Sequence, residues 1–436
     1  MRFNTVTPKN RTHEGAVTPV LAHMAQLERS VMACLLWEDT FYEDGVSIAE
    51  RMKSLVPLCA SEQVAALAVK AREESRLRHA PLLLLRELAR HPDRPKFADT
   101  LARVIQRADE PAEFLALYWR EKRQPLSKQV KLGLSAALQK FDAYQLAKYD
   151  RPGAVKLRDV LFMVHAKPRN EEQAAIWKQL VAGTLPAPDT WEVALSTGAD
   201  KKETFTRLLR EKKLGYLALL RNLRNMMESG VEESLIADAI LAGAVRSKAL
   251  PFRFVAAARA VPALEPILDK AMRQATESLE RLPGNTAVIV DVSGSMDSRL
   301  SHKSDLTRMD AAAALAVLLV GVTDRARVFT FSNNLVEVPA RKGMALIDAI
   351  TASQAHNNTY LGRALSELPG NYDRIVVVTD EQSADAVPAP GDKGYMINVA
   401  SYKNGIGYGK WTHIDGFSES VVQYIQALES IEQTIG

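Results

Sequence analysis

The residues best suited to do chemistry lie in one short segment, Asp291-Val292-Ser293-Gly294-Ser295. The segment follows a continuous apolar run, residues 286–290, which predicts a strand covered on both faces. One carboxylate and two hydroxyls on a tight loop can face a common centre, because alternate side chains point the same way. Hard oxygen ligands, few of them anionic, suit Mg²⁺. The pattern therefore predicts a magnesium site.

Two other loops carry side chains that would complete such a site. Thr359 lies in a polar loop before a predicted helix, and Asp380 ends an apolar strand. In a doubly wound sheet, the loops at the carboxyl ends of the strands meet at one edge. The alternative is structural: the two serines form the turn, Thr359 caps the helix, and Asp380 is a solvated acid. We favour the metal site because the three loops occur in the expected order.

The elements that position these loops form a βαβ pattern after Pro283-Gly284. Continuous apolar runs predict strands, and helical periodicity separates them. The predicted strands span 286–290, 326–331, 374–378 and 394–400, and the predicted helices span 309–320, 342–351, 361–368 and 418–429. This pattern indicates a doubly wound, Rossmann-like open sheet.

The first part of the chain has a different pattern, with one short helix after another from residue 17 to 281. Apolar residues recur every three or four positions, for example in 61–75, 127–141, 201–211 and 215–227. About a dozen helices joined by brief turns indicate a HEAT-like α-solenoid. We therefore predict a multidomain α plus α/β protein, with a helical-repeat domain over 1–282 and an α/β domain over 283–436.

Composition and charge exclude several classes of protein. Of the 436 residues, 47% are hydrophobic and 25% are charged, and only two are cysteine. These values are ordinary for a globular protein and exclude wholesale disorder, a collagen-like chain and a disulfide scaffold. Residues 1–280 hold 43 basic and 35 acidic groups, whereas residues 281–436 hold 13 and 17. A basic first part attracts polyanions, and an acidic second part attracts cations.

The sequence also bears on location and catalysis. The polar residues 1–15 lack an apolar signal core, and the longest apolar run, 311–322, is too short to cross a bilayer. We therefore expect a cytoplasmic protein with no membrane partner. The sequence has no phosphate loop, no H-E-x-x-H and no G-x-S-x-G, and no base is placed beside Ser293 or Ser295. We expect a protein that is not an enzyme.

Residues 285–430 resemble a von Willebrand factor A domain. The matching positions are those of the metal-ion-dependent adhesion site of that family, here Asp291, Ser293, Ser295, Thr359 and Asp380. The resemblance implies that these residues hold a divalent cation, Mg²⁺, directly or through water. It also implies an open coordination position that accepts an acidic group from a ligand.

Three segments of the helical part carry a second resemblance. They are residues 40–50, the pair Lys148-Tyr149 with residues 158–168, and residues 219–226. In these segments the chain resembles the TROVE family, the Ro autoantigen and its bacterial relatives. Together with the A-like domain, the likeness covers most of the chain.

The TROVE resemblance implies a function in RNA quality control. It implies helical repeats closed into a ring, whose basic cavity takes the single-stranded 3′ ends of misfolded RNA, while the outer surface binds small non-coding, Y-like RNA. Two RNA-contacting positions of the family correspond to Lys148 and His165. A third, basic in the family, falls at Pro152, and Arg151 beside it is the candidate contact.

Basic residues permit RNA binding on physical grounds, because lysine and arginine contacts to phosphate give affinity that falls with salt. Residues 201–224 contain eight basic and two acidic residues, and a second basic cluster spans 120–131. The alternative reading of both is a solvated helix face.

A second function remains open: a metal-dependent, cochaperone-like protein-interaction scaffold whose A domain captures a partner carboxylate. An exoribonuclease or another protein is the expected partner of that domain, and we expect a monomer. Convergence of Lys148, His165 and residues 201–224 on one surface or pore would favour RNA binding.

Overall fold

A computed structural model describes most of the chain. The described residues are 11–12, 15–16, 22–32, 45–74, 77–93, 95–150, 153–247, 249–300, 306–400, 405–407, 409–415, 421–422, 425–426 and 428–429. The chain divides into two units. The first, here called the helical unit, contains Ala22–Met32 and Ser47–Thr197, and the second, the sheet unit, includes Gly198–Gly436.

The helical unit is built from short helices with brief connections. They are α1 His23–Met32, α2 Gly45–Leu55, α3 Ser61–Glu73, α4 His79–Leu88, α5 Ala98–Val104, α6 Glu110–Tyr118, α7 Lys128–Leu138, α8 Ala143–Tyr149, α9 Leu157–Val164, α10 Glu171–Ala182 and α11 Trp191–Ser196. Helices two places apart in the chain pack together, as α5 does with α7 and α7 with α9. This alternation is expected of stacked helix pairs.

Local sequence sets where several of these helices begin. The Ser127 side chain accepts a hydrogen bond from the Val130 amide and so caps α7. Asp142 and Gln145 form a reciprocal capping box at the start of α8, which satisfies two amides that the helix itself leaves unpaired. The capping fixes the entry to α8, the helix that carries Lys148.

The sheet unit begins with six more helices. They are α12 Lys201–Arg210, α13 Tyr216–Arg221, α14 Leu223–Glu228, α15 Glu233–Ser247, α16 Pro251–Ala260 and α17 Glu265–Glu277. The prediction of one helix over 215–227 is wrong, because the chain breaks at Asn222, whose φ of −104° and ψ of 8° are not helical. Its side chain donates to the Ala218 carbonyl at 2.9 Å and accepts from Asn225 at 3.2 Å. Asparagine side chains compete in this way with the helical pattern.

A mixed six-stranded sheet follows. Its strands are β1 Leu282–Asp291, β2 Thr323–Phe331, β3 Leu335–Val338, β4 Arg374–Thr379, β5 Lys393–Asn398 and β6 Thr412–Asp415. They lie in the order β3-β2-β1-β4-β5-β6. All neighbours are parallel except β2 and β3. The order reverses between β1 and β4, the point at which ligands bind in doubly wound sheets.

Helices cover both faces of this sheet. They are α18 Arg308–Val322, α19 Met344–Thr351 and α20 Leu361–Ser366. Helix α18 packs against β1, β2 and β4, and Ala311 to Leu319 within it are all buried. Buried Leu361 of α20 belongs to the cluster of Ala287 and Ile289 on β1. Within the described ranges, no helix has the length and apolar character needed to span a bilayer.

Candidate metal centre and nucleic-acid interface

Two carboxylates lie at the carboxyl ends of the neighbouring strands β1 and β4. Asp291 is the last residue of β1, and Asp380 directly follows β4. The two strands are parallel, with Val290 opposite Val378. Both aspartates are fully buried. The topology therefore brings together two acids that are 89 positions apart in the sequence.

The loop after β1 folds its polar side chains around Asp291. The Ser293 amide donates to Asp291 Oδ1 at 2.9 Å, and the hydroxyls of Ser293 and Ser295 lie 3.3 Å apart. The Gly294 amide donates to the Asn357 carbonyl at 3.0 Å. A Cβ at Gly294 would lie 3.4 Å from the His356 carbonyl oxygen. The first loop is therefore in contact with the loop that carries Thr359.

The second and third loops are also joined. Thr359 is buried, and its carbonyl accepts hydrogen bonds from the Ala384 amide at 2.7 Å and the Ser383 hydroxyl at 3.3 Å. The Gln382 amide donates to Asp380 Oδ1 at 3.3 Å. The three loops predicted to form the site are thus hydrogen-bonded to one another at one edge of the sheet.

Burial of Asp291 and Asp380 disfavours the charged form of these two neighbouring carboxyl groups. Loss of water and the nearby charge of Asp380 raise the pKa of Asp291 to about 7, although hydrogen bonds from Ser293 and Thr379 act against the rise. One guanidinium nitrogen of buried Arg308 lies 3.6 Å from Asp380 Oδ2. A bound divalent cation would offset the charge of two buried carboxylates.

The available donors fit Mg²⁺ better than a transition metal. In the part of the chain that the structure describes, no group of three or more His, Cys, Asp or Glu side chains is arranged to hold a metal. The candidate set comprises two carboxylates, Asp291 and Asp380, and the hydroxyls of Ser293, Ser295 and Thr359. Carboxylate and neutral oxygen donors are typical of magnesium sites that retain water.

Three residues at this site were missed by sequence reasoning. Thr379 donates its hydroxyl to Asp291, and Arg308 reaches Asp380 from the start of α18. Glu381 is buried with a φ of 60°, accepts the Gly407 amide at 3.0 Å and lies 2.8 Å from His413 Nδ1. An acid directly after Asp380 was a visible signal for Glu381, whereas nothing local pointed to Arg308.

The predicted RNA contact Lys148 lies in a cluster of aromatic and basic side chains in the helical unit. Its ammonium nitrogen is 5.9 Å from the ring centre of Tyr144 and 5.8 Å from that of Tyr149. The guanidinium carbon of Arg107 lies 4.7 Å from the Tyr149 ring centre. The exposed fraction of Tyr144 is 50%. We call Arg107, Tyr144, Lys148 and Tyr149 the tyrosine cluster.

His165 is exposed at the end of the next helix, α9. Its φ of 53° and ψ of 43° are left-handed, a conformation uncommon for residues other than glycine. The Ala166 amide donates to the Leu161 carbonyl at 3.1 Å and closes the turn. Phe162 on the same helix is 61% exposed. The third predicted contact, Arg151, and its neighbour Pro152 lie outside the described residues.

The structure also describes the two other basic segments predicted from the sequence, residues 201–224 and 120–131. Residues 201–224 belong to the sheet unit, where Lys201 and Lys202 on α12 are exposed. In the helical unit, two members of the basic cluster at 120–131, Arg123 and Lys131, line a pocket of about 450 Å³ together with Trp119. Arg123 stacks on the Trp119 ring at 5.2 Å. Sequence reasoning noticed these basic residues but missed the aromatic side chain among them.

Comparison with known proteins finds a TROVE-like sequence in part of the chain. The TROVE domain model matches residues 170–357, which confirms the predicted resemblance to this family. The motif at 219–226 lies within the matched range, whereas those at 40–50 and 148–168 precede it. Telomerase protein component 1 of Mus musculus is 27% identical over 241 residues, covering 51% of this chain and 9% of that protein. The protein of the same name from Rattus norvegicus is 24% identical over 233 residues, covering 49% of this chain and 8% of that protein. The chain thus spans less than a tenth of the length of these relatives.

A solved structure shares the fold. The crystal structure of Deinococcus radiodurans RO (RSR) protein matches with a TM-score of 0.64 over 93% of this chain and 99% of that chain. The two sequences are 17% identical. The likeness therefore concerns the architecture, a helical first part followed by a mixed six-stranded sheet.

Proposed function

We propose that this chain is an RNA-binding protein that takes the single-stranded 3′ ends of misfolded RNA and binds small non-coding, Y-like RNA, for RNA quality control in the cytoplasm. The tyrosine cluster is the observation that carries the proposal. The TROVE match and the fold shared with the RO (RSR) protein support it.

The tyrosine cluster has the chemistry that an unpaired strand requires. Lysine and arginine contact phosphates, and aromatic rings stack with bases, independently of sequence. In the cluster, Lys148 lies near two rings and Arg107 covers one of them, which leaves Tyr144 as the exposed face. A base in a duplex is already stacked on its neighbours, so this arrangement favours an unpaired end.

The wider architecture of the proposal follows the TROVE resemblance. The helical repeats of residues 1–282 close into a ring with a basic cavity, and His165 and Arg151 contact the same RNA as Lys148. Residues 283–436 form the A-like domain that helps to close the ring. The chain acts as a monomer in this proposal.

The magnesium site is the second part of the proposal. Asp291, Ser293, Ser295, Thr359 and Asp380 hold Mg²⁺. The oxygen chemistry of all five supports this assignment, as does the burial of all but Ser295, which is half-buried. The cation would offset the two buried carboxylates and offer a position to an acidic group. That group belongs to a protein partner, such as an exoribonuclease.

Photocrosslinking locates the RNA site directly. An RNA hairpin with a 4-thiouridine in its single-stranded 3′ tail is bound to the full chain and irradiated, and the crosslinked peptides are identified by mass spectrometry. We expect crosslinks to peptides that contain Tyr144 or Tyr149. Crosslinks confined to residues 201–224 would overturn the assignment of the tyrosine cluster.

A metal-dependent scaffold is the second candidate function, favoured by the buried pair Asp291 and Asp380. In that case the A-like domain captures a partner carboxylate, and the helices serve as support. The Asp291→Ala variant tests which ligand depends on the metal site. If this variant lost a protein partner but kept its affinity for RNA, the metal site would serve the protein partner alone.

A further inference from the structure

A second binding site is suggested by a cleft at the end of the sheet opposite Asp291. Asp291 pairs with Phe331 at the carboxyl end of β2, whereas Thr323 and Asp324 at the amino end of β2 line the cleft. The cleft has a volume of about 620 Å³, within the range of small-molecule sites, roughly 300–1,000 Å³. It belongs wholly to the sheet unit, so it is separate from the tyrosine cluster.

Apolar side chains form one wall of this cleft. Val317 and Val320 come from α18, Val338 from the end of β3, and Leu346 from α19. These four residues come from three elements that pack around the amino end of β2. Val317, Val338 and Leu346 are buried and form the floor of the cleft, and half-buried Val320 presents the apolar surface on which the flat body of an organic ligand can pack.

The charged residues of the cleft carry an excess of positive charge. Five basic and three acidic side chains line it. Three of the arginines are committed to ion pairs: Arg273 with Asp269 at 3.0 Å, Arg281 with Asp324 at 3.2 Å, and Arg327 with Glu337 at 2.6 Å.

The excess lies at two neighbouring positions, Arg341 and Lys342. Both side chains are exposed, and neither forms an ion pair with any residue in the described ranges. Glu277, on the cleft wall from α17, likewise has no basic partner among them. The cleft thus presents two cationic side chains, Arg341 and Lys342, that can bind an anion. It also presents the Glu277 carboxylate, which can accept hydrogen bonds from N–H donors.

We propose that this cleft binds a nucleoside monophosphate. The phosphate lies at Arg341 and Lys342, the base packs on the valine and leucine wall, and Glu277 accepts from an amino group of the base. A fatty acid lacks the donors for Glu277, and a sugar phosphate lacks an apolar body for the wall. A nucleotide carries all three features. The inference stands apart from the proposed RNA function, because it uses other residues in another unit.

Isothermal titration of the full chain with AMP and GMP tests the proposal, with inorganic phosphate and adenosine as separate probes. The test variant is Arg341→Glu with Lys342→Glu. The matched control is Lys201→Glu with Lys202→Glu, an adjacent and equally exposed basic pair in the same unit. We expect at least one monophosphate to bind, and the test variant to weaken it by about tenfold or more, since two charge-assisted contacts are lost. Melting temperatures establish that both variants are folded.

Each other outcome overturns the proposal. Failure of both monophosphates to bind at millimolar concentration excludes the site. If inorganic phosphate bound as tightly as the monophosphates, the cleft would be a general anion site. If the control variant weakened monophosphate binding as much as the test variant, the binding would depend on the net charge of the chain and not on this cleft. A Glu277→Gln variant adds a check on the base, because its affinity for the monophosphate that binds is expected to fall while any affinity for inorganic phosphate stays the same.

Discussion

The hydroxyl of Thr379 donates a hydrogen bond of 2.6 Å to Asp291 Oδ2. The two residues end neighbouring parallel strands, and they lie 88 positions apart in sequence. Asp291 also accepts from the Ser293 amide through its other oxygen. Both carboxylate oxygens are therefore oriented by the protein before any cation binds, as a preorganised site requires.

Removal of the Asp291 carboxylate is expected to abolish stabilisation by Mg²⁺. A ligand that binds only the folded state adds roughly 2.7 kcal/mol at one hundred times its dissociation constant. The melting temperature of the wild type should therefore rise with Mg²⁺ relative to EDTA, and that of Asp291→Asn should not. Asp348→Asn, an exposed acid on α19, serves as the control and should respond like the wild type. An equal response in all three proteins would contradict the site.

The Thr379 hydroxyl is expected to contribute to stability and to the Mg²⁺ response, because it orients the Asp291 carboxylate. Thr379→Val keeps the shape of the side chain but leaves the buried Asp291 Oδ2 without its donor and the Glu381 amide without its acceptor, each at a cost of about 1–3 kcal/mol. We expect a lower free energy of unfolding in urea, and a weaker response to Mg²⁺ than in the wild type. Thr412→Val on β6, outside the site, is the matched control. A Thr379→Val variant as stable and as responsive as the wild type would show that this hydrogen bond does not orient the carboxylate.

The left-handed conformation of His165 allows its chemical role to be separated from its structural one. Glycine adopts a φ of 53° without strain, whereas alanine is strained by about 1–2 kcal/mol there. His165→Gly is therefore expected to be the more stable of the two variants in urea unfolding. Both variants should lose the same RNA affinity in filter binding if the imidazole contacts RNA. RNA affinity that follows stability, or that stays at the wild-type level in both, would argue against the contact.

Acid should destabilise the helical unit through Glu121. Hydrogen bonds from Arg86 and Lys53 lower the pKa of this carboxyl to about 2, and Arg86 is buried. Because the pKa is lower in the folded state, this stabilisation is fully present above the unfolded pKa. It is lost as pH falls from there towards about 2.

Urea unfolding between pH 6 and about 2 measures this contribution. Glu121→Gln is expected to be less stable near neutrality and to lose less stability on acidification than the wild type. Glu62→Gln, at an exposed position of α3, should keep the wild-type pH dependence. If the stability of Glu121→Gln changed with pH as steeply as that of the wild type, the ion pair between Glu121 and Arg86 would not contribute to the pH dependence of stability.

Much of the sheet could be predicted because the central strands are apolar on both faces. The predicted strands at 286–290, 326–331, 374–378 and 394–400 all fall on observed strands. The two edge strands, β3 and β6, were missed, since each has four residues and too short a pattern to detect. Strand order is set by packing between distant segments, so no local signal shows it.

Each candidate site likewise contains residues that a sequence pattern shows and residues that only the fold brings together. The hydroxyls and carboxylate of Asp291, Ser293 and Ser295 are visible as a motif, but Arg308 joins them only through the packing of α18. Tyr144 and Lys148 are four positions apart on one helix, a spacing that brings side chains together. Arg107 reaches the same cluster from 41 positions earlier than Lys148, which no sequence pattern shows.

The most direct test of the central claim is filter binding of an RNA hairpin with a single-stranded 3′ tail, measured over a salt series. The wild type should bind the tailed hairpin more tightly than the blunt one. Lys148→Ala should lose that preference and reduce the salt slope by about one, and Tyr144→Leu should lose about tenfold in affinity for the tail. Lys178→Ala, an exposed lysine of the same unit, should behave like the wild type. A wild-type protein that binds both hairpins equally, or a Lys148→Ala variant that keeps the tail preference, would contradict the account.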